Sequence, residues 1–239
     1  VAAAPSAHEI IVAADAVRNP GTGFRLIDTL VEYRNGQPVN RVILVVYSKA
    51  DAASGQYRTL VRFLDPARDR DKTILKSGNI LWFYDPAARA SVRISPQQRL
   101  MGQASNGDVV TVNLHRDYAA TIESEETIND ADRQPRACWR LSLRATDDSV
   151  TYWRIEYWVE KDTFHPIRGR FFSESDRLLK IAYYRTYKEI NGRLRPTETL
   201  IADGLDSSLV TRMTASGVEA REIPESWFTR NYLPHFRGE

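Results

Sequence analysis

Residues 57–94 read YRTLVRFLDPARDRDKTILKSGNILWFYDPAARASVRI, and this stretch decides the fold. In YRTLVRFL, Tyr57, Thr59, Val61 and Phe63 fall on one side and Arg58 and Arg62 on the other, the period-two pattern of a half-buried strand. Pro66 and a run of charges then break the strand. After TILKSG, the run NILWFYDP is apolar on both faces and stops at Asp85 and Pro86, and VRI follows a short turn. Three strand-like runs in succession, each closed by turn residues, predict an antiparallel meander. By the same alternation Arg58, Arg62 and Arg93 are expected to point outward.

Outward from this core the same grammar continues. SAHEIIVAADAVRN carries Ser6 three residues before Glu9, apolar positions Ile10, Ile11, Ala14 and Val17, and Pro20-Gly21 beyond, which together predict a capped N-terminal helix. GFRLIDTLVEYRNGQPVNRVILVVYSKA predicts two strands about an Asn35-Gly36 hairpin turn. Alternating segments recur through RACWRLSLRA, TYWRIEYWVEKD, HPIRGRFFSES, LLKIAYYRTYKE, RPTETLIA and SLVTRMTAS, with turn signals at Asp147-Asp148, Asn191-Gly192 and Asp203-Gly204. The long break is residues 95–130. The expectation is one domain over residues 1–239, with residues 1–7 as a leader and residues 97–122 as a candidate lid insertion. For that insertion an ordinary surface loop with a short helix remains the alternative.

Composition narrows the function. A hydrophobic fraction of 42% suffices for a core, while charged residues, 27% of the chain, interrupt every apolar run, so none approaches the roughly 20 apolar residues of a membrane helix. The formal charge of +2 is small and the arginines are dispersed, which gives no footprint for nucleic acid. Cys138 stands alone and cannot form an intrachain disulfide; its neighbours Trp139, Leu141 and Leu143 put it on the polar side of a strand, as a passive thiol. His8, His115, His165 and His235 are scattered without metal-ligand spacing, Asp65, Asp69 and Asp71 lack the glycine turn and final glutamate of a calcium loop, and Glu123, Glu125 and Glu126 show no partner across a cleft. No enzymatic constellation, cofactor or metal is expected.

The succession Arg62-Phe63…Pro66, Asp69-Arg70, Leu75, Leu81-Trp82…Tyr84…Pro86, then Arg89, Arg93 and Ile94 resembles the LolA-like outer-membrane lipoprotein-sorting family of Gram-negative bacteria. Two places depart from that pattern. Asp71 and Lys72 stand where the family commonly has glycine after Asp-Arg, and QASNGDVVTVNLHRDYAATI replaces an acidic, aromatic run after Gly102. The resemblance implies a mainly β fold with a few helices, an open antiparallel half-barrel wrapped around the N-terminal helix and a helical lid. It also implies a periplasmic carrier that shields the acyl chains of a lipoprotein or lipid cargo, touches membranes only transiently, binds no nucleic acid and meets an inner-membrane lipid exporter. VAAAPSA is then read as the remnant of a cleaved signal peptide, with a disordered leader as the alternative. Candidate cavity residues are Tyr33, Val61, Phe63, Leu81, Trp82, Phe83, Tyr84, Ile94, Leu100, Met101, Trp139, Leu141, Trp153, Ile155 and Tyr157. Each of these aromatics can fill the barrel or line a cavity. The alternatives are an envelope sensor of the same fold and, third, an enzyme using the cavity as its active site.

Overall fold

The capping box expected at the N-terminus is formed. In the computed structural model, which describes residues 3–238, Ser6 Oγ accepts from Glu9 N at 3.2 Å and Glu9 Oε2 accepts from Ser6 N at 2.8 Å. Helix α1 runs Ala7–Arg18 behind this cap. Ser6 and Ala7, expected in a leader, are therefore the cap and first residue of the helix; residues 1 and 2 of that leader lie outside the described residues.

Strands β1 (Phe24–Arg34), β2 (Gln37–Ala50), β3 (Tyr57–Asp65), β4 (Thr73–Ser77), β5 (Ile80–Asp85) and β6 (Ala90–Ile94) follow as an antiparallel meander. A small hairpin comes next, β7 (Arg99–Met101) and β8 (Ala104–Ser105), then a single helical turn, α2 (Leu114–Asp117). The second run is β9 (Tyr118–Asn129), β10 (Pro135–Ala145), β11 (Arg154–Glu160), β12 (Pro166–Phe172), β13 (Leu178–Ile190), β14 (Arg193–Asp203) and β15 (Leu209–Ala220). Two 3-10 turns, Glu225–Phe228 and Arg230–His235, end the described chain. The large sheet is open, in the order β6-β5-β4-β3-β2-β1-β15-β14-β13-β12-β11-β10-β9. Both Asn-Gly turns take the left-handed backbone that their hairpins require, with φ of 50° and 75° at Asn35 and Gly36 and 53° and 73° at Asn191 and Gly192.

The chain folds as two compact units. The first joins the N-terminal segment ending at Pro20 to Asn113–Ser207. Here α1 inserts Ile10, Ile11 and Ala14 against Trp139, Leu141 and Leu143 of β10 and Ile155, Tyr157 and Val159 of β11, all buried. Full burial of each large side chain stabilises the fold by about 1.5–3 kcal/mol, so the helix is held by packing as well as by its cap. Asp15, buried on α1, accepts from His115 N at 2.9 Å and from Arg18 Nη2 at 2.9 Å and lies 2.7 Å from His115 Nδ1. Arg195 Nη1 donates to the carbonyl of Ala16 at 2.7 Å near the helix end.

On the other side of these strands Cys138 is fully buried with Trp158 and Ile167, whereas the sequence pattern placed it on a polar face. The alternation is right, since Arg140 shares that side. The polar side is roofed all the same, because the Arg140 and Arg168 guanidiniums lie over the Trp158 ring at 5.6 and 4.0 Å and cover what lies beneath. Burial pushes the Cys138 thiol up to about 12. Trp153, expected in register with Ile155 and Tyr157, falls just before β11 and stands exposed at 38%.

The second unit joins Gly21–Val112 to the segment from Ser208. One face of its strands carries Val45, Tyr47, Leu60, Leu75 and Tyr84, and the C-terminal residues Ile223, Phe228, Leu233 and Phe236 pack onto it. Arg58 and Arg62 belong to this covered face. They do not point freely outward, as the alternation alone suggested: Arg58 pairs with Glu225 and lies 5.0 Å from the Phe228 ring centre, and Arg62 Nε donates to Asp71 Oδ1 at 3.0 Å. Arg93 does stand exposed.

Candidate functional site

The opposite face of the second unit is built by register. Phe63 on β3 stands opposite Leu44 on β2, Leu44 opposite Asp28 on β1, and Asp28 opposite Ala215 on β15. One row to one side lie Val61, Val46 and Leu26; one row to the other lie Val42, Leu30 and Met213. Ile74 of β4, Phe83 of β5 and Val92 of β6 extend the Val61 row, and Leu81 and Ile94 follow in the next. The result is an apolar surface several strands wide. Leu44, Val46, Val61, Ile74 and Leu81 are buried, whereas Leu26, Asp28, Phe83, Ile94 and Ala215 remain partly open to solvent.

Part of residues 97–122 crosses this face as a strap, pinned at two places. Gln103 N donates to Thr211 Oγ1 at 2.8 Å beside Glu32, at one end. Thr111 N donates to Thr59 Oγ1 at 3.2 Å, and the Ser48 and Thr111 hydroxyls meet at 2.6 Å, at the other. Gly102 has φ of +56°, and a Cβ there would collide with Thr211 Oγ1 and press on Glu32, so close approach needs glycine. The helical content of 97–122 is the 3-10 turn Asn106–Asp108 and α2; the rest is strand, turn and irregular chain.

The sequence candidates thus part into four groups. Val61, Phe63, Leu81, Phe83 and Ile94 share the strapped face. Leu100 and Met101 belong to the strap, Met101 buried and Leu100 half-buried. Trp82 and Tyr84 point to the face covered by the C-terminal turns, with the Arg230 guanidinium 4.1 Å from the Trp82 ring centre; Tyr33, near the end of β1, lies under Arg212 at 5.3 Å. Trp139, Leu141, Ile155 and Tyr157 pack against α1 in the other unit, while Trp153 is exposed.

Asp28 escaped the sequence reading. Among the described residues it has no hydrogen-bond or ion-pair partner, and loss of hydration among Leu26, Leu30, Leu44 and Ala215 pushes its carboxyl up to about 7. Some of its surface still meets solvent, but no charge opposes the effect of its apolar neighbours, so the upward direction stands. A signal was present: in FRLIDTLVEYR, Phe24, Leu26, Asp28, Leu30 and Glu32 share one phase, and Asp28 is the acid with leucine on both sides in that phase. No group of three or more His, Cys, Asp or Glu able to hold a metal occurs among the described residues, and no helix among them is long and apolar enough to cross a membrane.

The sheet is open and antiparallel, with a capped helix on one unit and a strapped apolar face on the other. The chain belongs to the LolA superfamily. It is 31% identical to a LolA superfamily protein from Nitrosomonas europaea, over 96% of this chain and 100% of that one, with a TM-score of 0.85. A family model described as an uncharacterized protein matches residues 55–235. The fold also matches a DUF1329 family protein from Desulfovibrio piger at 20% identity, 95% and 97% coverage and a TM-score of 0.79. A putative outer membrane lipoprotein-sorting protein domain from Vibrio parahaemolyticus matches at 18% identity, 95% and 98% coverage and a TM-score of 0.77. No curated protein matches the chain.

Proposed function

We propose that this protein is a periplasmic carrier that shields acyl chains of lipoproteins or lipids during transfer between the inner and outer membranes. The observation that carries the reading is the strapped apolar face of β1–β5 and β15, in a chain of the LolA superfamily. Each acyl CH₂ withdrawn from water is worth about 0.8 kcal/mol, so a sixteen-carbon chain costs about 12 kcal/mol to leave a membrane unaided. Docked on Leu44, Val46, Val61 and Phe63 beneath the strap, the chain recovers part of that cost. Release demands that the cover open for a few kcal/mol at most. No catalytic step is involved. The partners in this reading are the acylated cargo, an inner-membrane lipid exporter that loads it and, transiently, the membrane.

Native mass spectrometry of the protein purified from its own envelope, followed by organic extraction, tests the proposal. Acylated species in near-stoichiometric amount support it and name the cargo. A mass that stays apo after incubation with lipoprotein and phospholipid refutes it in favour of an envelope interaction module.

A further inference from the structure

Asp28 lies where a carrier of hydrocarbon has least use for a carboxyl. Its cross-strand neighbours are Leu44 and Ala215, its neighbours along β1 on the same face are Leu26 and Leu30, and Phe63 is two strands away in the same row. The row lies between the two attachment points of the strap, Thr211 beside Glu32 at one end and Ser48 with Thr59 at the other. An acyl chain running along this face passes over that carboxyl.

Little else within the unit competes for the charge. On the same face β2 presents Val42, Leu44, Val46 and Ser48, and β15 presents Thr211, Met213 and Ala215, none of them ionisable near neutral pH. Among the described residues the charged groups of that face are Glu32, four residues along β1 and paired with Arg34 at 3.2 Å, Asp85, which follows Leu81 and Phe83 in phase at the end of β5, and Lys76 on β4, whose Nζ donates to the Tyr57 carbonyl at 3.3 Å in the row of Ser48 and Thr59. The strap contributes Asp108, whose carboxylate accepts from Ser105 N at 2.8 Å. Among the described residues no cation pairs with Asp28, and Arg34 is taken up by Glu32.

Resting on the carrier reading above, we infer that Asp28 is a proton-gated element of the acyl-binding face: uncharged acyl chains are taken up over the neutral carboxyl and shed from the carboxylate. Covering an ionised carboxyl with hydrocarbon removes its remaining water without returning a partner, and covering the neutral acid costs far less. Ligand and proton are therefore linked: the loaded state holds the proton more tightly than the empty one, and raising the pH weakens binding by the same factor. The empty carboxyl already titrates near neutrality, so the coupling falls in a range where small changes at a membrane surface or in a partner complex can move it. A partner that placed a cation against Asp28 would drive release in the same way.

The test uses the whole protein and N-phenyl-1-naphthylamine, a fluorescent apolar probe uncharged from about pH 5.5 to pH 9. The expected result is a Kd that rises about tenfold or more between about pH 6 and pH 8.5 for the native protein and stays level over that range for Asp28→Asn, with Asp28→Leu binding as tightly at high pH as at low. Carbon-13 NMR of the Asp28 carboxyl, empty and loaded, should show the midpoint move upward on loading. Binding by the native protein that does not change with pH, or an Asp28→Asn profile that falls in parallel with the native one, overturns the gate and leaves the carrier reading standing. Failure of native protein and both variants to bind the probe or diacyl phospholipid at any pH, while all remain folded by circular dichroism, overturns the carrier reading and the gate together.

Discussion

Replacing Asp28 by Asn should make the empty protein more stable at alkaline pH and change it far less in acid. The carboxyl is raised from 3.8 to about 7 in the folded chain by loss of hydration. In the unfolded chain it returns to its ordinary value, so the native state binds this proton more tightly. The contribution to stability is therefore fully present below about pH 4, is lost progressively between about pH 4 and pH 7, and is absent above that window. One pKa unit corresponds to about 1.36 kcal/mol, so a rise of about three units sets an upper bound of about 4 kcal/mol. Because Asp28 as a residue is only partly buried, about 2–4 kcal/mol is the working range. Asn is nearly isosteric and does not ionise, so the variant keeps the shape and loses the pH-dependent cost. Urea unfolding of both proteins across this window gives two profiles whose difference isolates Asp28, since every other titrating group is common to them. The gap should open in favour of the variant by about 2–4 kcal/mol from pH 4 to pH 8. Parallel profiles would show that the carboxyl is not desolvated in the native state, and the argument from its apolar row would fail.

Arg58→Ala should cost about 1–2 kcal/mol in chemical denaturation, more than a free surface arginine, because the guanidinium pairs with Glu225 and lies over Phe228; additivity with Phe228→Ala would show that the two side chains do not act together. Leu141→Ala, at a fully buried position between α1 and β10, should destabilise by about 2–5 kcal/mol, and a loss below about 1 kcal/mol would mean that α1 does not pack there. The Cys138 thiol, pushed up to about 12, should react with a disulfide reagent at pH 8 orders of magnitude more slowly than in urea-unfolded protein; equal rates would contradict its burial.

Local grammar carried much of the fold. Ser6 and Glu9 specify a capping box because both halves lie within one turn, and Asn35-Gly36 and Asn191-Gly192 specify hairpins because few other pairs tolerate two successive positive φ angles. Period-two alternation likewise separated Val61 and Phe63 from Arg58 and Arg62, but it grouped Trp82 and Tyr84 with Leu81 and Phe83 as cavity candidates, because a run apolar on both faces does not say which face is lined. The chemistry was less legible. His115 and Asp15 are about a hundred residues apart in sequence and meet only because α2 is placed beside α1. Cys138 was assigned correctly to the side of Arg140, but nothing local says that two guanidiniums and an indole will roof it.

The sequence by itself determined the helix and its cap, the hairpin turns and most of the strands, all consequences of backbone sterics and of hydrogen bonds between near neighbours, but it read residues 95–130 as a break where the structure has β7, β8 and β9. Tertiary structure alone decided what each side meets. The C-terminal turns cover the Trp82 and Tyr84 face, α1 fills the face of Trp139 and Tyr157, and the hairpin after β6 straps the face of Val61, Phe63 and Asp28. Alternation names two faces of a strand without saying which of them another segment will cover, because that depends on apolar surfaces far apart in the chain finding one another. Asp28 takes its chemistry from that outcome: an aspartate in an alternating strand is ordinary, and it becomes a titrating group near neutral pH only when β2 and β15 surround it with leucine, methionine and alanine and leave it without a partner among the described residues.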